Sequence, residues 1–306
     1  MPTIASKLVH GLLADELAKR DPDRDVVEAR RLLDEGGRLL RPPASVTLAD
    51  GTEGGVPGEW LHPEGADATA RILYLHGGAY VVGSRVSHRG LAGKVADEVG
   101  ADSFLAEYRL APEHPFPAAL DDAIAAFDAV AAEVGPDRVL VAGDSAGGGL
   151  AVALGVALRD RGLGMPGAIA AFSPWVDLTA SGASIHELND VDVMLDGSRV
   201  GEIAAVYCDE TPVDDPLVSP LFADLTGFPP LLVHAGTAEI LRDDAVRLVE
   251  RAREAGVDAS LRLYEGMWHV WPAFWRWVPE GRQAIREVAR FWWRVAGGPP
   301  AQRPTL

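Results

Sequence analysis

The spacing of apolar positions divides this chain into stretches of different period. Over roughly the first 40 residues the period is helical: Ile4, Leu8 and Leu12 recur at intervals of four with Val9, Leu13 and Leu17 beside them, and a second amphipathic run covers 26–40. Pro42-Pro43 closes this region, because the residue before a proline is pushed out of the helical conformation. From Ser45 the period shortens to two, and 46–48 and 54–60 alternate around a glycine-rich turn, which predicts an antiparallel pair. Beyond it, continuous apolar runs at 71–75, 103–108, 138–142, 168–172, 231–234 and 261–264 predict strands buried on both faces. Helical patterns at 86–99, 118–133, 147–160, 243–255 and 279–295 lie between and after them. Strand followed by helix, five times over, predicts an α/β fold: a mostly parallel sheet with helices on both faces. Two pieces break the alternation, the first 40 residues and the stretch from Val176 to about Pro216. Both are expected to lie over the sheet as a cap, about 1–42 and 176–216, on a single domain spanning 1–306. No internal repeat or low-complexity linker divides the sequence.

Composition agrees with that picture. With 306 residues, 48% hydrophobic and 24% charged, the chain is too apolar for disorder and long enough for a large buried core. Its 28 basic and 45 acidic side chains leave a net charge of −17, which repels phosphate backbones and anionic lipid, so neither nucleic acid nor a membrane is expected as a partner. The lone cysteine, Cys208, cannot close an intrachain disulfide and reads as a small apolar side chain. The first 20 residues are interrupted by Lys7, Asp15, Glu16, Lys19 and Arg20, unlike a secretory leader, and uncharged stretches such as 145–158 are too short to span a bilayer. The expected location is the cytoplasm.

The chemistry is concentrated in three places. Gly143-Asp144-Ser145-Ala146-Gly147 follows the strand at 138–142 and opens a helix. A Gly-x-Ser-x-Gly between strand and helix is a nucleophile elbow: the turn is so tight that only glycines fit on either side, and the strained serine is aimed away from the sheet. A Gly-rich helix start would produce the same five letters, and the strand before and helix after favour the elbow. About 70 residues upstream, His76-Gly77-Gly78-Ala79-Tyr80 ends the strand at 71–75. A tetrahedral oxyanion needs backbone N–H donors about 3 Å away, and Gly77 and Gly78 can supply two, with Ala146 the third. His-Gly-Gly alone would be an ordinary turn. Together with an elbow serine it becomes an oxyanion loop.

A base and an acid must follow in the chain order serine, acid, histidine. Of the eight histidines only His186, His234 and His269 follow Ser145. His186 falls in the expected cap and His234 ends the strand 231–234, too early to follow an acid placed after that strand, which leaves His269 in the loop after the last strand. Elsewhere, a histidine between Trp268 and Val270 would be read as a packed core residue. The acid should follow 231–234, where Glu239, Asp243 and Asp244 compete. Asp243 and Asp244 precede an apolar helical run and suit N-capping, whereas Glu239 lies in the loop. The tryptophans Trp268, Trp271, Trp275, Trp277, Trp292 and Trp293 read as packing for the last helix.

With these residues in place the chain resembles the bacterial hormone-sensitive-lipase-like (family IV) carboxylesterases of the α/β-hydrolase superfamily. His76-Gly77-Gly78, Tyr108-Arg109-Leu110-Ala111-Pro112-Glu113-His114-Pro115, Gly143-Asp144-Ser145-Ala146-Gly147-Gly148, Asp215-Pro216-Leu217-Val218-Ser219-Pro220 and His269 all fit the pattern of that family. The resemblance covers nearly the whole chain and implies the α/β-hydrolase fold, a mostly parallel eight-stranded sheet with a helical cap. It implies a structural role for the Tyr108–Glu113 segment, bracing the oxyanion loop, with no catalytic part for Arg109 or Glu113. It also makes a homodimer an expectation. Two departures stand out. The third oxyanion glycine is Ala79, and the acid, usually Asp followed by Pro-Leu, is Glu239-Ile240-Leu241, with Asp243 as the fallback.

The expected activity is therefore hydrolysis of short-chain acyl esters through an acyl-enzyme. Ser145 is the nucleophile, His269 the base, Glu239 the residue that orients it, and Gly77, Gly78 and Ala146 the oxyanion donors. A lactone hydrolase or aryl formamidase would use the same residues. A ligand receptor on this scaffold would be expected to have lost one of them. No metal-ligand pair on a helix or phosphate-cradling loop is present, so neither metal nor organic cofactor is expected.

Overall fold

A computed structural model describes residues 1–17 and 25–298; the stretch 18–24 of the expected cap, with Lys19 and Arg20, lies outside the described residues. The eight strands are β1 (Val46–Glu53), β2 (Val56–Pro63), β3 (Arg71–Leu75), β4 (Asp102–Ala106), β5 (Val139–Asp144), β6 (Ala168–Phe172), β7 (Leu231–Gly236) and β8 (Ala259–Tyr264). They form one sheet in the order β1-β2-β4-β3-β5-β6-β7-β8. β1 and β2 are antiparallel to their neighbours, and every pairing from β4 to β8 is parallel. Every residue of β5, β6 and β7 is buried, which is why those strands read as unbroken apolar runs.

The helices are α1 (Ile4–Leu17), α2 (Val26–Gly37), α3 (Arg85–Val99), α4 (Ala118–Val134), α5 (Ala146–Asp160), α6 (Ser184–Glu187), α7 (Val200–Cys208), α8 (Arg242–Glu254) and α9 (Pro279–Ala296). α3 and α9 cover one face of the sheet around Tyr74, Trp268 and Trp292; α4, α5 and α8 cover the other, around Leu73, Val141 and Leu150. The tryptophans of the C-terminal region divide accordingly. Trp268, Trp271, Trp292 and Trp293 are buried in the first of these cores, whereas Trp277 is exposed and Trp275 lies under the Arg276 guanidinium.

Element boundaries shift by a few residues from the sequence reading. β5 runs on to Asp144 and β7 to Gly236, because ladder pairing with neighbouring strands carries them past their last apolar residue. One expectation is corrected outright: Asp243 and Asp244 do not cap α8. Its N-cap is Leu241, with no side-chain bond, and both aspartates sit inside the first turn. Their carboxylates turn instead to the 176–184 segment. Asp244 accepts from the N–H groups of Val176 (3.0 Å) and Asp177 (2.9 Å), and Asp243 from that of Ser184 (2.9 Å).

Candidate active site

β5 delivers Ser145 at its C-terminal end, and the chain turns there so sharply that Ser145 takes φ 53°, ψ −125°, in the region that L-residues avoid. The crowding explains the glycines. A β-carbon on Gly147 would overlap the carbonyl oxygens of Leu75 and His76, and one on Gly77 would run into the Asp144 carboxylate. Strand β3 and its following loop are thereby pressed against the elbow, which brings Gly77 beside Ser145.

The structure brings Ser145, His269 and Glu239 into one hydrogen-bonded line. The Ser145 hydroxyl lies 2.9 Å from His269 Nε2, and His269 Nδ1 lies 2.6 Å from Glu239 Oε2. The consistent tautomer has Nδ1–H donating to the carboxylate and Nε2 accepting from the serine. Glu239 is fully buried in the turn after β7, and its second oxygen accepts from Ser173 Oγ (2.9 Å) and the Gly236 N–H (2.5 Å). Burial alone disfavours a charged His269. The Glu239 hydrogen bond and charge, with the more distant Asp192 and Asp144, outweigh it and raise the imidazole above its ordinary 6.5. Neither Asp243 nor Asp244 reaches the histidine. His234 is engaged elsewhere, with Glu287 of α9 at 3.1 Å, and His186 is exposed on α6.

The loop after β3 supplies the other half. No hydrogen bond among the described residues uses the N–H of Gly77 or Gly78, and Ala146, the first residue of α5, has no intrahelical acceptor for its own. Gly78, Ala79 and Tyr80 all have positive φ, at 120°, 55° and 63°. Behind the loop, Tyr108 donates to the His76 carbonyl at 2.6 Å and stacks on the His76 ring at 4.2 Å. Arg109 is occupied with Asp122, and Glu113 with Arg30.

Sequence reasoning missed several residues around this line. Ser173 at the end of β6 touches both the acid and the loop of the histidine. Asp192 accepts from the Ile240 N–H beside Glu239 at 2.8 Å. Under the elbow, Asp144 accepts from Tyr74 Oη at 2.9 Å and lies 3.3 Å from His88 Nε2. Burial would raise the Asp144 carboxyl, but His88 and the Tyr74 hydroxyl hold it below its ordinary range. The only signal for Ser173 was a polar residue ending an apolar strand. Tyr80, of the loop after β3, stacks on Tyr207 of α7 at 3.7 Å, with Phe116 edge-on to Tyr207, and both tyrosines are buried.

A parallel sheet with a serine, a histidine and a carboxylate aligned at its strand ends defines an α/β hydrolase, and the family pattern for the α/β-hydrolase fold matches residues 72–273. An acetyl-hydrolase of Streptomyces hygroscopicus is 43% identical over 263 residues, 86% of each chain. The crystal structure of an esterase from the bacterial hormone-sensitive lipase family superposes with a TM-score of 0.91 at 40% identity, covering 95% of this chain and 98% of that one. The crystal structure of EstE5 soaked with p-nitrophenyl butyrate does so with a TM-score of 0.91 at 35% identity, covering 97% and 100%. The chain belongs to the hormone-sensitive-lipase-like family of α/β hydrolases, and it is a carboxylic ester hydrolase.

Proposed function

We propose that the protein is a serine esterase that cleaves short-chain acyl esters through an acyl-enzyme intermediate. Ser145 attacks the ester carbonyl while His269 takes its proton. The tetrahedral oxyanion is held by the N–H groups of Gly77, Gly78 and Ala146, and His269 returns the proton to the leaving alkoxide. Water then attacks the acyl-enzyme by the same route in reverse. Glu239 fixes the tautomer of His269 and stabilises the imidazolium. The observation that carries this reading is the unbroken Ser145–His269–Glu239 line, in a buried setting and with the serine in an elbow conformation.

In this reading 1–42 and 176–216 form a cap over one hydrolase domain, and the cap limits the acyl chain to about two to eight carbons. The acetyl-hydrolase relative and the butyrate ester soaked into EstE5 point to the same size class. β8 is the terminal strand of the sheet and offers an edge for a homodimer. A single monomeric species in sedimentation at micromolar concentration would remove that part.

The experiment is covalent labelling with turnover. A serine-directed phosphonate should add one adduct, at Ser145, and Ser145→Ala should lower kcat by about 10⁶-fold. A label on another residue, or an active alanine variant, would overturn the mechanism. On p-nitrophenyl esters, kcat/KM should peak within the short-chain range; a sixteen-carbon ester preferred to a four-carbon one, or lactones or N-formyl amines preferred to both, would overturn the substrate class.

A further inference from the structure

Helix α2 grips the loop after β3 chiefly through the side chain of Arg30. Arg30 Nε donates to the Val81 carbonyl at 2.8 Å, and Nη2 donates to the Ala111 carbonyl at 2.8 Å. The remaining fork meets both oxygens of Glu113, Nη1 to Oε1 and Nη2 to Oε2, each at 2.8 Å. That hydrogen bonding holds the Glu113 carboxyl down at about 2. The peptide groups that Arg30 grips are one step from the oxyanion donors. The N–H groups of Val81 and Val82 both donate to the Gly78 carbonyl, at 3.0 and 2.9 Å, and the N–H of Ala111 donates to the Tyr80 carbonyl at 2.9 Å. A second tie from the same helix, Asp34 accepting from Ser84 Oγ, fastens the end of the loop where α3 begins.

The loop needs such restraint. Gly78, Ala79 and Tyr80 are three consecutive residues at positive φ, two of them with β-carbons, and conformations of this kind persist only where the surroundings over-determine them. A planar guanidinium with its donors in a fixed fork can hold two carbonyls and a carboxylate at once, which a lysine ammonium on a flexible stem cannot do with the same geometry. We propose that Arg30 is a positioning residue for catalysis: it fixes the Gly78–Val82 turn so that the Gly77 and Gly78 N–H groups face the reacting oxygen. Helix α2 thereby acts on the rate of the chemical step, beyond any part in covering the site. The inference rests on the serine-esterase reading above.

The test is Arg30→Gln and Arg30→Lys in the full chain, with p-nitrophenyl acetate and butyrate as substrates and active sites counted by phosphonate titration. For Arg30→Gln, kcat per titrated site should fall about 10- to 100-fold with KM within about threefold of wild type, since the loss is in oxyanion geometry. A trifluoromethyl ketone, whose adduct places an oxyanion in the same hole, should bind more weakly by a similar factor. Arg30→Lys should recover part of both. Unchanged kcat and ketone affinity in Arg30→Gln, or a loss confined to KM or to the longer ester, would overturn the positioning role. If Arg30→Gln does not fold, Arg30→Lys decides by the same measurements, and wild-type values in it overturn the proposal. Wild-type protein without ester hydrolysis, or an active Ser145→Ala, would overturn the serine-esterase reading and this inference with it; an active wild type beside an indifferent Arg30→Gln overturns this inference alone.

Discussion

Ser173 donates its hydroxyl to the Glu239 carboxylate at 2.9 Å and accepts the Val270 N–H at 3.1 Å. A residue at the end of β6 therefore bridges the acid after β7 and the backbone next to His269 in the loop after β8. With the Gly236 N–H it occupies Glu239 Oε1 and leaves Oε2 to face His269. A fully buried carboxylate costs free energy unless its lone pairs are met, and here each oxygen has a donor.

Ser173→Ala removes two hydrogen bonds, that to the Glu239 carboxylate and that from the Val270 N–H, the first alone a loss of about 1.5 to 3 kcal/mol. Part should appear in the rate. The expected outcome is a roughly tenfold lower kcat on a four-carbon ester with KM little changed, and a lower melting temperature. Wild-type kcat in a folded variant would show that Glu239 is held without it.

Glu239→Gln should be nearly inactive yet folded, with kcat down about 10³- to 10⁴-fold and KM little changed, because the imidazolium loses its counter-charge and the tautomer its acceptor. Asp243→Asn should turn over close to normally, since that carboxylate faces Ser184 and Arg242 rather than the histidine. The reverse pattern in steady-state kinetics would reassign the acid while leaving serine and histidine in place.

The pH profile follows from His269. Nε2 must be unprotonated to accept from Ser145, and its pKa lies above the ordinary 6.5. Activity should therefore fall away on the acid side with a midpoint in kcat/KM above 6.5. Asp192 contributes to the upward shift, so Asp192→Asn should move the midpoint down while the high-pH plateau persists, provided melting confirms the fold. A midpoint at or below 6.5 in the wild type would contradict the assigned environment.

Asp244 makes a prediction about stability. Burial, chiefly, pushes its carboxyl up to about 8, against the lowering effect of the Val176 and Asp177 N–H groups, and Oδ1 has no hydrogen-bond partner among the described residues. The unfolded chain releases this proton near pH 4 and the folded one much later, so the group draws stability down as pH rises between about 4 and 8. Asp244→Asn keeps an oxygen for both N–H groups and cannot ionise. In urea titrations its stability relative to wild type should be smallest near pH 4 and grow by more than about 1.4 kcal/mol toward pH 8. Parallel curves across that range would contradict the shift.

Much of this architecture is legible in the sequence. The runs 71–75 and 168–172 matched β3 and β6 residue for residue, because a strand buried on both faces carries its signal in every position. Ser145 stood out for a local reason too: the elbow's steric demand is written into five consecutive letters. Asp243 and Asp244 were misread as caps because local rules see only their own helix, whereas their partners lie at Val176, Asp177 and Ser184, some sixty residues away. Ser173, His88 and Arg30 were invisible for the same cause. Their neighbours are distant in sequence, and a serine, a histidine or an arginine has no period that announces which carboxylate or carbonyl it will meet.

The elbow at Ser145 has an evolutionary consequence. A side chain held at φ 53° keeps about 1 to 3 kcal/mol of backbone strain, and the β5–α5 junction can bear it only because close packing from Leu75 to Gly147 leaves no room to relax. Glycine at 145 would release that strain and abolish the proposed chemistry in one step. Selection for thermal robustness alone would therefore erode this position, and its serine can persist in a lineage only while hydrolysis itself is under selection.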